Sequence, residues 1–362
     1  MLCSLMGCYL FLWARLSSSP PLPSLTTMEE NAVSLTDAPP KQSSSSRRVP
    51  PYVVPDSTKG TTLIVAFCNF HFRFVGVTWY QRMSRLGYRN HLLVATDQGM
   101  VDFLARPSTS GNSEEMRYHV WIHEPMTKEV LSLPKPKQDH AYLELLMAVR
   151  WKYLLEQLEI HGMHVVLTDV DNIFSRYIDV DREITHKDDG VDVWHAYATK
   201  FPRKAFAKQG FVVCSGMSWW RSSAGAIQFA RLMQQTCDDM CDDQRELNDL
   251  LSSSLRLNMT WRWTNEARQS RLTNATTNDA RFLGLPTLGI SGHSDTTGHT
   301  ARIWNRDFAF RGPLVPAECP QNNWVSMPIL ETKSRQSAWK TKIESFSQWD
   351  ENCAYQGVVQ RT

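Results

Sequence analysis

A short apolar run that ends in two aspartates constrains this sequence more than any other feature. Residues 165–167 are Val, Val and Leu, a composition typical of a strand buried on both faces of a parallel sheet. Asp169 and Asp171 follow almost at once. Loops diverge at the carboxyl ends of strands in an open α/β sheet, and ligands bind there. The stretch therefore predicts a binding site just after this strand.

The spacing of the two aspartates indicates a cation site. Strand side chains two apart point the same way, so Asp169 and Asp171 can converge on one ion while Val170 turns into the core. Two carboxylates suit Mn²⁺ or Mg²⁺, which usually complete their shell with water and substrate phosphate oxygens. The alternative is an ordinary surface turn. Residues 179–181 repeat the tripeptide without an apolar run, and we interpret them as a solvated loop.

Composition limits the class of partner. The chain has 362 residues, of which 42% are hydrophobic, enough for one large α/β domain or two small ones. Its formal net charge is only +2. Binding to a phosphate backbone needs a concentrated basic stripe, and the basic clusters here are short. We therefore expect no nucleic acid partner.

The amino terminus suggests entry into the secretory pathway. Residues 1–15 are mostly apolar and too short to span a bilayer comfortably, so we interpret them as a signal peptide or signal-anchor. An incomplete amino terminus is the alternative. Residues 16–60 are rich in Ser and Pro and predict a flexible stem, before a globular domain over 61–362. This layout predicts a protein of the Golgi or endoplasmic reticulum lumen. It would be a type II membrane protein if the first segment is retained, and a secreted protein if that segment is cleaved. Contact with the membrane is expected only through this first segment.

Cysteines and glycosylation sequons agree with that compartment. Six cysteines lie beyond the first segment, an even number compatible with three disulfides of undetermined pairing. Cys237 and Cys241 have half of a zinc-site spacing but no second pair of ligands, so a disulfide or core packing is the better interpretation. The sequons at Asn258 and Asn274 permit N-glycosylation.

The first half of the domain alternates strand and helix patterns. This alternation predicts a three-layer α/β/α sandwich with a mostly parallel central sheet. Strands are predicted over 61–67, 91–96, 118–122 and 165–167, and helices over 74–86 and 139–158. Gly87 is expected to end the first helix.

The second half has a weaker pattern. Residues 289–299 are small and polar, and we interpret them as a loop. Further strands are predicted over 191–198, 210–216 and 281–286, and helices over 224–235 and 242–251.

Four short motifs in order give the chain a family resemblance over residues 61–286. It resembles the nucleotide-diphospho-sugar transferases that include plant cell-wall xylosyl- and arabinosyltransferases, which are glycosyltransferases of the GT-A fold. The motifs are Trp79 with Leu86–Asp97, Val149–Lys152 with Gly162 and Leu167–Asp171, Ser215-Gly216 with Trp220–Ser223, and Asp243-Gln244 with Leu247-Asn248.

The resemblance implies transfer of a sugar from a UDP-sugar donor to a glycan or protein hydroxyl, with retention at the anomeric carbon. Asp169 and Asp171 would then hold the DxD cation against the donor diphosphate, where negative charge builds on the leaving group. It also implies that Asp243 and Gln244 face the donor sugar as catalytic residues. Helix capping is the alternative for Asp243, which lies near a helix start.

Other donor-site candidates follow from their places in the motifs. Asn69 and Asp97 end the first two strands, where base and ribose would lie; simple turn residues are the alternative. Ser215 stands where the family commonly has Asn, a change that would alter sugar selectivity, and Gly216 follows it. The remaining two are Lys152, which can offset diphosphate charge or be a solvated lysine, and Arg221, which can contact the donor or form a hairpin salt bridge.

The third metal ligand is the weakest part of the resemblance. Many enzymes of this fold use a late histidine, and His293 and His299 are the candidates, although each also fits a loop. Two other functions compete with the transferase. One is a metal-dependent phosphoester or pyrophosphate hydrolase, which needs a second metal and more ligands. The other is a catalytically silent lumenal binding protein of the same fold.

Overall fold

The computed structural model describes most of the predicted domain. The described residues are 60–105, 116–122, 132, 135–185, 190–198, 201–237, 241–263, 290–304, 308–313 and 324–329.

Several predictions concern residues outside these ranges and stay predictions. They are the amino-terminal segment 1–15, the stem over 16–60 apart from Gly60, the strand over 281–286 and the Asn274 sequon. Among the described helices, none combines the length and the apolar character that a membrane crossing requires.

A nine-stranded sheet forms the centre of the fold, in the order β3-β2-β1-β4-β7-β6-β10-β9-β8. Strands β7 and β9 are antiparallel to both of their neighbours, and the other neighbouring pairs are parallel, so seven of the nine strands share one direction. The predicted mostly parallel sheet is confirmed. The strands are β1 Thr62–Cys68, β2 His91–Ala95, β3 Tyr118–Val120, β4 His164–Asp169, β6 Val193–Tyr197, β7 Val213–Trp220, β8 Met259–Trp263, β9 Ile290–Ser294 and β10 Thr300–Ile303.

Helices cover both faces of this sheet and make the predicted three layers. Residues of α1 and α2 pack in the hydrophobic cluster on one face, and residues of α3, α5 and α6 pack in the cluster on the other. The described α-helices are α1 Arg73–Arg85, α2 Gln98–Leu104, α3 Lys135–Glu159, α4 Arg203–Gln209, α5 Ala224–Thr236 and α6 Asp243–Ser252. Gly87 follows α1 with a φ of 92°, the left-handed conformation that favours glycine at a helix end.

Strand β1 shows why the apolar runs form the middle of the sheet. All seven of its residues are buried, and alternate side chains enter opposite clusters. Ile64 and Ala66 pack towards α1, whereas Leu63 and Val65 pack towards α3. A continuous apolar run suits a strand covered on both faces, because both sets of side chains leave water.

A small second sheet lies on the same side of the central sheet as α1 and α2, in the order β11-β12-β5. Its strands are Ile173–Phe174 (β5), Ala309–Pro313 (β11) and Val325–Ile329 (β12). Trp324 is fully buried there and donates from its indole nitrogen to the Tyr88 hydroxyl at 2.8 Å. The hydrogen bond satisfies the polar end of an otherwise apolar side chain.

The predicted loop over 289–299 is wrong, because this stretch contains β9 and the turn into β10. The two strands pair in antiparallel register from Ile290 opposite Ile303 to His293 opposite Thr300. A Cβ at Gly292 would overlap the Trp261 ring on the neighbouring strand. The small residues therefore make room for an indole, a tertiary contact that local sequence does not reveal.

Two further boundaries differ from prediction. β7 continues past Gly216 to Trp220, since β4 and β6 pair with it on both sides. In the tripeptide 179–181, Asp179 is exposed as expected, but Asp181 begins a π-helical turn and accepts a hydrogen bond from the Thr62 hydroxyl.

One of the described cysteine pairs is cross-linked. Cys237 and Cys241 form a disulfide in the connection between α5 and α6, as the sequence favoured. Cys68 and Cys214 are buried and belong to no disulfide, so the compatibility with three disulfides does not hold. Cys319 and Cys353 lie outside the described residues.

Replacing both Cys237 and Cys241 by Ser should lower the free energy of unfolding by about 2 kcal/mol, because a cross-link restricts the unfolded chain even across a short loop. Urea unfolding monitored by circular dichroism measures the change. The matched control repeats both measurements in dithiothreitol, where the difference should vanish. Tryptic fragment 232–245 of the native chain should be 2 Da lighter than its reduced form; finding only the reduced mass would contradict the disulfide.

Candidate active site

Three predicted site residues meet at one edge of the sheet. β1, β2 and β4 are parallel, with Cys68 opposite Ala95 and Phe67 opposite Asp169. The carboxyl ends of the three strands therefore lie side by side, and Asn69, Asp97 and Asp169 follow or end them. This is the edge at which open α/β sheets bind ligands.

Strand β7 runs beyond the end of β4 at this edge. Pairing between them stops at Thr168 and Met217, and no other strand of the described residues pairs with the start of β7 on that side. Side chains satisfy its backbone groups instead. Asn172 Nδ2 donates to the Gly216 carbonyl at 2.7 Å, and Asn248 both accepts from Val213 N and donates to its carbonyl, each at 2.9 Å.

Gln244 has the same function as Asn248 one helical turn earlier. Its Oε1 accepts from Ser215 N at 3.0 Å and from the Ser215 hydroxyl at 3.2 Å, while its Nε2 donates to the Val213 carbonyl. Because residues four apart share a helix face, the two amides of α6 follow the backbone of β7. The predicted catalytic placement of Gln244 is corrected: both ends of its amide hold the strand.

Arg150 is the central residue of the site, and the sequence analysis did not single it out. It is 5% exposed and projects from α3 into the gap beside β7. Its guanidinium donates to Asp169 Oδ1 at 3.1 Å and to the Ser215 carbonyl, and it forms an ion pair with Asp243. A charged residue within the apolar stripe of a long helix was the available signal, since buried charges need partners.

Asp243 is fully buried beneath Arg150. Besides the ion pair, its Oδ1 accepts from the Ser215 hydroxyl at 3.1 Å. Burial raises the pKa of Asp243 to about 6, although Arg150 and the Ser215 hydroxyl oppose the shift. The group is therefore a carboxylate at pH 7. Burial by itself would lower the pKa of Arg150, but Asp243 and Asp169 outweigh it and raise that pKa.

The burial of Asp243 corrects two predictions for this residue. A side chain with no exposed surface is a counter-ion of Arg150 and does not face a sugar directly. Helix capping also fails as its role, because the neighbouring Asp242 is the N-cap of α6 and accepts from Arg245 N.

Asp169 connects this buried network to solvent. Its side chain is 46% exposed, with Oδ1 on Arg150 and the carboxylate packed against the Cα of Gly216, where a Cβ would overlap it. Val170 is buried and Asp171 is half-buried, the alternation that the sequence predicted. Gly216 is thus required by close packing.

The two carboxylates fit a divalent cation. Asp169 and Asp171 supply hard oxygen ligands of the kind that Mg²⁺ and Mn²⁺ bind through one or two carboxylates plus phosphate and water. Among the described residues, no group of three or more His, Cys, Asp or Glu side chains could hold a metal. At this edge, Asp169 and Asp171 are therefore the candidate cation ligands among the described residues.

His293 and His299 do not complete this site, which corrects their assignment as ligands. His299 precedes β10, whose Ala301 is in register with Val193, Trp220 and Val165, so it lies at the amino-terminal edge of β4. His293 pairs with Thr300 at that same edge. His299 is buried, with Nδ1 on the Thr297 hydroxyl at 2.6 Å and its ring stacked on Phe229.

Arg221 is also at the far edge, so its assignment to the donor site is corrected. It follows Trp220, which pairs with Val165 at the start of β4, whereas Gly216 contacts Asp169 at the end. The five residue steps from Gly216 to Arg221 span about 16 Å, so Arg221 lies far from Asp169. Its Nε donates to the Val191 carbonyl at 2.9 Å, which ties it to the backbone just before β6.

Asn69 and Asp97 have the turn-forming roles that were the alternative for them, and the role of Lys152 stays a prediction. Lys152 is half-buried on α3, two residues after Arg150. Asn69 caps the short 3₁₀ helix after β1 by accepting from Phe72 N, and Asp97 caps α2 by accepting from Met100 N and also binds Phe70 N. Turn formation accounts for the two capping residues, which nevertheless lie at the ligand-binding edge.

Arg150→Met should lower the free energy of unfolding by about 3 kcal/mol at pH 7, because it leaves the buried Asp243 carboxylate without its partner. At pH 5 the loss should be smaller. The pKa of Asp243 is already raised to about 6, so its carboxylate can take up a proton there and avoid the unpaired charge. Urea unfolding at both pH values measures the effect.

The control for this prediction is Arg245→Met, which removes an exposed arginine 3.9 Å from Asp242 and should change stability by less than about 1 kcal/mol. Equal losses for the two variants, or a larger Arg150→Met loss at pH 5 than at pH 7, would contradict the assigned pairing.

Comparison with known proteins gives the family. The family model described as nucleotide-diphospho-sugar transferase matches residues 88–281. Curated protein sequences give no significant match. Among solved structures, the galactosyltransferase LgtC with donor and acceptor sugar analogues is 12% identical, with 82% of this chain and 97% of that chain covered and a TM-score of 0.40.

Mouse xyloside xylosyltransferase 1 is 11% identical, with 53% of this chain and 81% of that chain covered and a TM-score of 0.30. The family match covers more than half of the chain and includes Asp169, Asp171 and Asp243. The protein therefore belongs to the nucleotide-diphospho-sugar transferase family.

Proposed function

We propose that this protein is a divalent-metal-dependent glycosyltransferase that moves a sugar from a UDP-sugar to a hydroxyl of a glycan or protein. One observation carries the proposal: Asp169, at the ligand-binding edge of a family domain, is half exposed and fixed by the buried Arg150. An aspartate oriented from inside the protein and open to solvent is suited to hold a charged ligand in one place.

Asp169 and Asp171 would hold Mn²⁺ or Mg²⁺ together with the donor diphosphate. The bound cation would offset the negative charge that develops on the leaving diphosphate. Asp169 keeps one oxygen on Arg150, and its other oxygen lies beside Gly216. Any side chain at position 216 would displace this carboxylate, so the glycine maintains the position of the ligand group.

Arg150 and Asp243 act through Asp169. Asp243 accepts the hydrogen bond from the Ser215 hydroxyl and pairs with the guanidinium, which limits the positions that Arg150 can adopt. The guanidinium then orients Asp169. We assign Asp243, Ser215 and Gln244 as positioning residues, since their polar groups are used on the protein itself.

The finer features of the reaction are proposals that rest on family resemblance. Retention at the anomeric carbon is one, and ¹H NMR of the product tests it. A lumenal location is another; the Cys237–Cys241 disulfide supports it, because such bonds persist in oxidising compartments. The two-metal hydrolase is less well supported, because the described residues supply no third acidic or histidine ligand.

Asp169→Asn and Asp171→Asn should each reduce UDP release from the preferred UDP-sugar at least about 100-fold in the presence of Mn²⁺, because loss of several kcal/mol of charge stabilisation has that effect on rate. Mn²⁺ binding, followed by electron paramagnetic resonance, should weaken in parallel. Asp179→Asn is the matched control, since this exposed aspartate begins the other Asp-Val-Asp tripeptide.

Three results would count against the proposal. They are Mn²⁺ binding unchanged in both variants, phosphate release from many nucleotides, and no donor binding at millimolar concentrations.

UDP release should also fall as the pH drops below about 6. The pKa of Asp243 is raised to about 6, so protonation there removes one of the two carboxylates that orient Arg150. In Asp243→Asn the rate should be lower at pH 7.5 and should lack this titration. Circular dichroism at pH 5 checks that the fold persists. An unchanged pH profile in Asp243→Asn would exclude this role for Asp243.

A further inference from the structure

Six polar side chains line one face of the sheet at β8, β9 and β10. Residues in register on neighbouring strands point to the same face, and alternate residues share it. The register forms two rows across the three strands. They are Arg262–Ser291–Arg302 and Thr260–His293–Thr300.

The opposite face of these strands belongs to the core. Ile290, Ala301 and Ile303 are fully buried, and Ile290 and Ile303 pack in the cluster that includes α5 and α6. The polar rows are therefore the outward half of an ordinary alternating pattern. They line a cavity of about 410 Å³, within the size range of small-ligand sites.

Two of the residues that line this cavity are arginines. Arg262 is exposed, and within the described part of the chain it forms no salt bridge. Arg302 lies with its guanidinium carbon 5.5 Å from the centroid of the Trp194 ring, on the next strand of the same row. One carboxylate, Asp295, also lines the cavity, and it accepts from Asn258 Nδ2 at 3.1 Å.

A second aspartate, Asp192, lies close by and accepts hydrogen bonds from neighbouring backbone and hydroxyl groups. It accepts from Thr300 N at 2.7 Å and from the hydroxyls of Thr300 and Ser223. Both aspartates thus bind neutral donors. The two arginine positions are two strands apart, about 10 Å between Cα atoms, with Ser291 between them and Thr260 and Thr300 in the adjacent row.

These groups match an acidic sugar chain. Guanidinium groups bind carboxylates with two parallel hydrogen bonds, and hydroxyl and imidazole groups bind sugar hydroxyls. Two arginines are too few for a phosphate-backbone polymer. We propose that this face binds a uronate-bearing glycan, with Arg262 and Arg302 on its carboxylates.

The proposed site is separate from Asp169. Arg302 is in register with Trp194, Trp219 and Val166, so three strand spacings, about 14 Å, separate it from β4. Asp169 is three residues further along, about 10 Å. Glycan binding here needs no transfer chemistry, and its failure would leave the proposed transferase untouched.

Isothermal titration of the full chain with tri-galacturonate tests this proposal. The trimer should bind the wild type, its fully methyl-esterified form should bind at least about tenfold more weakly, and added salt should weaken binding. Arg262→Gln and Arg302→Gln should each weaken it roughly tenfold. Arg85→Gln, an exposed arginine on α1, is the matched control and should bind normally.

Further arms separate the alternatives. Asp169→Asn should retain binding; loss would place the trimer at the transfer site and overturn the proposal. Equal binding of the ester, no binding of the trimer, or inorganic phosphate binding as tightly with the same dependence on Arg262 would also overturn it. If Arg302→Gln fails to fold because of its Trp194 contact, Arg262→Glu carries the test, with at least tenfold loss expected.

Discussion

The guanidinium of Arg150 is the constraint on which the ligand-binding edge depends. A cation that is 5% exposed needs anionic partners, and it has two, one buried and one open to solvent. Satisfying it brings α3, α6 and the ends of β4 and β7 to one point. The sheet provides the general position, and this charge cluster sets the orientation of Asp169. A buried ion pair of this kind contributes more to the arrangement of the site than to net stability.

Much of the architecture could be predicted because it depends on local patterns. The apolar runs of β1, β2 and β4 and the stripes of α1, α3 and α5 are confirmed with shifts of a few residues at their ends. The position of Asp169 at the end of a strand followed from the same pattern. β9 escaped prediction because its small residues are explained only by the Trp261 ring across the sheet.

The site predictions that failed have one main physical cause, which is that the sequence does not show the register between distant strands. Nothing in the sequence shows that Ala301 lies level with Val165, so His299 could be taken for a metal ligand. Asp243 was misread for a related reason. Its burial depends on Arg150, 93 positions earlier, and the helix predicted over 139–158 does not show that this arginine is buried.

The amide side chains along the start of β7 have a consequence for solubility. A strand that outruns its neighbour presents free N–H and C=O groups, and such an edge recruits strands from other molecules and promotes aggregation. Gln244 and Asn248 occupy those groups from the side. The start of β7, which no strand of the described residues covers on the β4 side, is thus not a template for intermolecular pairing.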